Sequence, residues 1–312
     1  MKKVYSILLS IVCLFPVAAH AQVDVSDTTY YVMVTYNGST AAVEMTSDVK
    51  DYVTVAVNGA DVTITSTATS AINEITYGLA GSTSAASFTL VGTYKATMEL
   101  FGVNITNPTG PAIDIQNGKR IELSCKKGTE STLTDGTSTD EDAWKAALQC
   151  KGHLEFKGKG SLNVYGNYKH GIWSKEYMEV KNCTISVLSA VKDAINCNCY
   201  FSMESGLINL SGFGDDGIQV SIKTEDTDAD NTGNFTLTGG TINIDMKDAT
   251  GESIKAEGTK TVATEATLNV SNVTAIDEVT NSNKQCKKVL RNGQVQLLHE
   301  NKKYSLIGNE IQ

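Results

Sequence analysis

Residues 170–220 read HGIWSKEYMEVKNCTISVLSAVKDAINCNCYFSMESGLINLSGFGDDGIQV. Three times in this stretch a small residue precedes isoleucine, at Gly171-Ile172, Ala194-Ile195 and Gly217-Ile218, with a spacing of 23 residues each time. Between these anchors lie further apolar-x-apolar segments: Met178-Glu179-Val180 and Ile185-Ser186-Val187, then Phe201-Ser202-Met203 and Ile208-Asn209-Leu210. Alternation with period two is the pattern of a strand that buries one face. Gly, Asn and Asp between the segments supply the turns. Three strands in every 23 residues, without helical periodicity, predict an all-β chain: a right-handed, single-stranded parallel β-helix. In such a solenoid each coil hydrogen-bonds to the next about 4.8 Å away, and equivalent residues stack in columns.

The anchor recurs outside this stretch, at Ala112-Ile113, Ala147-Leu148 and Ser253-Ile254. Ile113 to Leu148 is 35 residues, Leu148 to Ile172 is 24 and Ile218 to Ile254 is 36. The two long steps are read as one repeat plus an insertion. An antiparallel sandwich or barrel would also give short strands, but it would not require a fixed register. Residues 27–105 are strand-like with a weaker register, which suits irregular first coils and a cap over the unpaired sheet edge.

The flanks differ from the repeat. Residues 1–21 carry a basic start (Lys2, Lys3), an apolar run and the small-x-small site Ala19-His20-Ala21, the pattern of a removable signal peptide. Val12 stands before Cys13 where lipid attachment needs a small residue, so export without a lipid anchor is expected. The protein is then periplasmic, cell-surface or extracellular. The β-helix is assigned to 22–275. Residues 276–312 are basic, and within them Val289–Glu300 and Lys303–Gln312 read as strands joined at Asn301-Lys302, a capping hairpin or a sorting tail like those of secreted Bacteroidetes proteins.

Composition narrows the partners. Lys and Arg total 26 against 35 Asp and Glu, a balance of −9, which becomes −11 once Lys2 and Lys3 leave with the signal. An acidic chain lacks the basic footprint of a nucleic-acid binder. With 41% hydrophobic residues it is not disordered, and no later stretch reaches transmembrane length. Cys150 and Cys197 fall in one inward column two coils apart, too far for a disulfide, and are read as core fillers. The pairing of Cys125, Cys183, Cys199 and Cys286 is left open, as is the oligomeric state.

Four stretches, 99–113, 128–136, 158–172 and Asp215-Asp216-Gly217-Ile218, match in order and spacing a known family. The chain resembles the bacterial carbohydrate-binding domain-containing family of secreted parallel β-helices, pectate-lyase-like in fold and associated with calcium, over roughly residues 50–275. The resemblance implies polysaccharide binding, with calcium held by acidic pairs stacked between coils. In this chain the position before each anchor gives His170, Asp193, Asp216 and Glu252, and the position before that gives Lys169, Lys192 and Asp215. Stacked carboxylates repel unless a cation bridges them. Asp193, Asp215, Asp216 and Glu252 are therefore the metal candidates, although Lys169, His170 and Lys192 depart from the acidic pattern. A second candidate is the loop holding Asp226, Asp228 and Asp230, which lacks the closing glutamate of an EF-hand.

Trp173, Tyr165, Tyr168 and Tyr177, with Lys175, are the carbohydrate-binding candidates. Flat aromatic faces suit sugar rings, and Trp173 sits at an outward strand position. The enzymatic alternative is a calcium-dependent, pectate-type lyase with Lys169, Lys175 or Lys192 as base. A structural surface or adhesin module is the third reading. No Ser/His/Asp or Cys/His constellation is evident among His20, His153, His170 and His299.

Overall fold

Every anchor residue sits in one unbroken column. The computed structural model describes residues 29–224 and 226–272, together with four short strands between 286 and 311. The signal segment 1–21 and most of the tail lie outside the described residues. Val62, Phe88, Ile113, Leu148, Ile172, Ile195, Ile218 and Ile254 are register partners from strand to strand, all in parallel pairs. A second column runs Leu123, Phe156, Val180, Met203, Leu237 and Val262. A third runs Leu133, Val164, Val187, Leu210 and Ile244. All these side chains are buried and belong to one continuous apolar core. Fully burying one such side chain contributes about 1.5–3 kcal/mol.

The chain enters as two antiparallel hairpins, Tyr31–Asn37 with Thr40–Met45 and Val53–Asn58 with Asp61–Ser66. Each turns on a left-handed glycine, Gly38 (φ 62°) or Gly59 (φ 63°), as tight two-residue turns require. The strand Ile75–Thr83 then leads into seven three-strand coils. Coil 1 is Phe88–Gly92, Ala96–Leu100 and Asn104–Thr106. Coil 2 is Ile113–Asn117, Arg120–Cys125 and Glu130–Thr134. Coil 3 is Ala146–Cys150, His153–Gly158 and Ser161–Gly166. Coil 4 is His170–Ser174, Met178–Val180 and Thr184–Ala190. Coil 5 is Ile195–Asn198, Tyr200–Met203 and Leu207–Leu210. Coil 6 is Ile218–Ser221, Asn234–Leu237 and Thr241–Asp245, and coil 7 is Ile254–Ala256, Lys260–Val262 and Thr267–Ser271.

The first strands of the coils form the first face, part of a nine-stranded sheet. The second and third faces merge into one 17-stranded sheet because Ile75–Thr83 pairs with both Ala96–Leu100 and Asn104–Thr106 of coil 1. The fold is thus the parallel β-helix that the 23-residue repeat predicts. The two long steps are loops at different corners: 135–145 before the first strand of coil 3, and 222–233 after the first strand of coil 6.

The loop 135–145 is tied down at both ends. Trp144 Nε1 donates to the buried Asp135 carboxylate at 2.8 Å, and the Asn167 backbone N–H donates to its other oxygen. Burial pushes the Asp135 carboxyl up to about 6, against the pull of these donors. A raised folded-state value means that its stabilising contribution is complete below about pH 4 and is lost as pH rises through about 6. Asp135→Asn removes this titration. In urea melts the variant is expected to gain up to about 2 kcal/mol relative to the parent between pH 4 and pH 8. An unchanged difference across that window would contradict the assignment, whatever fixed offset the amide introduces.

Cys125, Cys150, Cys183, Cys197 and Cys199 are buried free thiols. Cys150 and Cys197 sit on either side of Ser174 in one column, as core fillers. The Cys183 thiol is pushed up by its hydrogen bond with Cys125 and by burial. The side chain of Cys286 lies outside the described residues. The tail forms four antiparallel strands, Cys286–Arg291, Gln294–His299, Lys302–Tyr304 and Glu310–Ile311, rather than the two long strands expected. The missed break falls between Arg291 and its register partner Gln294. Among the described residues no helix is long and apolar enough to cross a membrane.

Candidate functional site: an acidic trio beside Trp173

The column before the anchors forms as expected. Gly171 N–H donates to the Asp193 carbonyl, Ala194 N–H to Asp216 and Gly217 N–H to Glu252, so these residues stack at the entrance to the first face. Asp193, Asp215 and Asp216 each bring a carboxylate oxygen within 4.8 Å of the others. Asp193 and Asp216 are each 1% exposed. Each aspartate also accepts from the next coil: Asp193 Oδ1 from Asp216 N–H at 3.2 Å, and Asp216 Oδ1 from Glu252 N–H at 2.7 Å. Gly251 makes room for them. A Cβ there would lie 2.2 Å from Asp216 Oδ1 and 2.6 Å from Asp215 Oδ1.

Two basic side chains border the trio. His170 Nδ1 lies 3.2 Å from Asp193 Oδ2, and Lys255 Nζ lies 2.9 Å from Asp216 Oδ2. Burial works to raise the Asp193 carboxyl, but His170, the Asn196 amide and the Asp216 N–H outweigh it and hold it below the usual range. Asp216 is raised, by burial first and by the charge of Asp193, against Glu252 N–H and Lys255. Glu252 joins the column only through its backbone. Its carboxylate turns to Lys260 at 2.8 Å, so it is not a fourth carboxylate of the cluster.

Trp173 is half-buried at the centre of its strand and faces outward, as the alternation requires. Its register neighbours are Gln149 and Asn196. Gln149 Nε2 donates to Asp114 at 2.9 Å, and Asn196 Nδ2 donates to Asp193 Oδ2 at 2.7 Å and to Gln219 Oε1 at 3.1 Å. A row Asp114, Gln149, Trp173, Asn196 and Gln219 therefore crosses five coils of the first face, and Asn196 joins it to the acidic trio. These amides were missed from sequence, although each is the central residue of the same apolar-x-apolar slot.

The other aromatic candidates do not join this row. Tyr168 packs on Trp144 (centroids 4.4 Å apart), and its hydroxyl donates to the Asp140 carbonyl. Its work is to hold the loop 135–145. Lys169 does the same through the Glu141 carbonyl. Tyr177 belongs to the second face, between His153 at 4.3 Å and Tyr200 at 4.7 Å, with its hydroxyl on Glu155. Tyr165 is exposed on the third face. Lys175 and Lys192 are exposed beside the first face, and among the described residues neither ammonium has an ion pair.

The loop 222–233 does not gather Asp226, Asp228 and Asp230. Asp226 groups with Glu176 and Cys199, and Lys223 fills the centre, 2.6 Å from Asp226 and 2.8 Å from Glu176. Asp228 gives its N–H to Asp226, and Asp230 is exposed. An internal ammonium thus takes the place that a bound cation would need.

Comparison with known proteins matches this architecture. A curated carbohydrate-binding domain-containing protein of Acetivibrio thermocellus is 26% identical over 99 residues, 30% of this chain and 35% of the relative. The match spans about a third of that relative's length. A solved polysaccharide lyase-like protein from C. thermocellum, a gadolinium derivative, superposes with a TM-score of 0.60 at 20% identity, over 77% of this chain and 99% of that one. That likeness is one of fold. The family model described as carbohydrate-binding domain-containing protein matches residues 58–303, most of the chain, and the protein belongs to that family.

Proposed function

We propose that the chain is an exported polysaccharide-binding protein that does not cleave its ligand. The first face is its docking surface, with a calcium ion at Asp193, Asp215 and Asp216. The observation that carries this reading is the Asn196 amide, which links the acidic trio to the row containing Trp173. One surface then offers an aromatic ring, amides that pair with hydroxyls, and a cation site.

The donor set fits calcium. Three hard carboxylates converge, and Lys255 is the one permanently charged group that opposes them, so −3 + 1 leaves −2 for a divalent ion. Asp215 has no side-chain partner of its own among the described residues. When bound, calcium supplies positive charge and coordination positions that a sugar carboxylate can fill. Asn196 and Gln219 orient hydroxyls, Trp173 offers its ring, and Lys175 and Lys192 offer charge at the rim.

Of the lyase candidates Lys175 and Lys192 are exposed beside the first face, so the assay below decides between binding and cleavage. Lys169 is spent on the loop carbonyl of Glu141, and Lys255 is spent on Asp216. Calorimetry with calcium chloride, and affinity electrophoresis on polygalacturonate with calcium or chelator, test the proposal. Retardation that needs calcium, without ultraviolet absorbance from an unsaturated product, is the expected result. Absorbance that grows with time would establish the lyase instead. Neither retardation nor absorbance would leave the structural module.

Lys255 competes with the ion for Asp216. Lys255→Gln removes that competing ammonium and is expected to tighten calcium binding by about tenfold in calorimetry. Equal affinity in parent and variant would place the ion elsewhere.

A further inference from the structure

The third face carries a different chemistry. One outward column on coils 3 to 7 runs Asn163, Ser186, Asn209, Asn243 and Asn269. Beside it stand Tyr165, Leu188 and Ser189, Ser211, Asp245 and Ser271, and Asp245 is the one charged residue among these positions. The second face, by contrast, holds Arg120, Glu122, Glu155, Lys157, Glu179 and Lys181 in ion pairs. An almost uncharged stripe over five coils offers a polyanion or a polycation no matching charge and favours an uncharged ligand.

The stripe is also shaped. A groove lies along coils 5 to 7, walled by Asn209, Ser211, Asn243, Asp245, Asn269 and Ser271. Its asparagines form a ladder: Asn269 Nδ2 donates to Asn243 Oδ1 at 2.9 Å, Asn243 Nδ2 to Asn209 Oδ1 at 2.8 Å, and Asn209 Nδ2 to Ser186 Oγ at 3.4 Å. Each rung uses one of the two amide hydrogens and one oxygen lone pair. The second hydrogen and second lone pair remain for a ligand. The ladder thus presents donors and acceptors together at coil spacing, which suits hydroxyl groups because they both give and take hydrogen bonds.

A second observation is independent of the ladder. The register between Ser161–Gly166 and Thr184–Ala190 slips at Val164/Tyr165, with Leu188 as the extra residue. The bulge leaves Tyr165 36% and Leu188 37% exposed, two of the few large apolar side chains left in solvent among the described residues. Bulges re-aim side chains and recur beside functional sites. Here the bulge sets Tyr165 and Leu188 on the third face at coils 3 and 4, on the face that carries the groove at coils 5 to 7.

We infer that this face is a second carbohydrate-binding surface. It takes an uncharged polysaccharide chain running along the solenoid axis, with sugar rings on Tyr165 and Leu188 and hydroxyls on the asparagine ladder. Four coil steps give the track a length of about 19 Å. It rests on the family's polysaccharide binding but not on the acidic trio, so it works without calcium.

Affinity electrophoresis in gels containing hydroxyethylcellulose or glucomannan, run with chelator, tests this. The parent protein is expected to be retarded as strongly with chelator as with calcium, and Tyr165→Ala and Ser211→Glu to lose at least about tenfold in affinity. Tyr165 is exposed, so its alanine variant is expected to fold, and an unchanged melting temperature checks that. Retardation equal in Tyr165→Ala, Ser211→Glu and the parent would overturn the inference. So would retardation that vanishes with chelator. A parent retarded by polygalacturonate but by neither neutral polymer would overturn this inference alone, and a parent retarded by nothing would overturn both it and the proposed function.

Discussion

Phe201→Ala is expected to lower the unfolding free energy by about 3–5 kcal/mol, the range for truncating a buried phenylalanine. Phe201 is fully buried, with Met178 and Phe235 as its register partners in the coils on either side. The Phe201 and Phe235 rings stack with centroids 5.3 Å apart and planes 7° from parallel. Removing one ring leaves the other without its partner and opens a cavity that flanking strands, pinned by parallel ladders, cannot fill. Solenoid stability is close to a sum of neighbour terms, so the damage is expected to stay local. Hydrogen exchange should show lost protection first in Tyr200–Met203 and Asn234–Leu237. A loss under 1 kcal/mol, or exchange that rises evenly along the chain, would contradict this account of the core.

The second large effect concerns the acidic trio. Asp193→Asn combined with Asp216→Asn is expected to abolish stabilisation by calcium. A ligand at one hundred times its dissociation constant adds about 2.7 kcal/mol to folding stability, and that increment is the quantity at stake. Without calcium the double variant is expected to remain folded. Each asparagine keeps a carbonyl oxygen for the N–H groups of Asp216 and Glu252, and the lost pairing with Lys255 involves a side chain 46% exposed, worth about 1 kcal/mol or less. Thermal melts with calcium or chelator give the readout. A calcium-dependent rise that survives the double substitution would remove the trio from the proposal.

Much of the fold was legible because a parallel β-helix writes its geometry into spacing. The same strand slot recurs each coil, so the columns through Ile172, Ile195 and Ile218 could be read from residue numbers and reappear as ladder partners. The stack of His170, Asp193, Asp216 and Glu252 was legible for the same reason. What spacing leaves open is where a long side chain goes once it leaves the coil. Glu252 has the right column position, yet its carboxylate turns to Lys260. Lys223, from the loop that also holds Asp226, reaches back to Glu176 of coil 4. Nothing in the order of residues announces that partner.

The aromatic candidates make the same division. Trp173, Tyr165 and Tyr177 lie within 13 residues of one another, but each face of the solenoid turns away from the next, so proximity in sequence separates them in space. Tyr168 is claimed by Trp144, from an insertion whose course the repeat does not set. The sequence by itself determined the all-β solenoid, its three-strand coil, its inward columns and the stacking of Asp193 on Asp216, because backbone pairing and burial act at fixed intervals along the chain. Tertiary structure alone decided which charges neutralise one another and which tyrosines are taken by loops, because those contacts join residues from different loops and coils through side-chain reach, which no interval encodes.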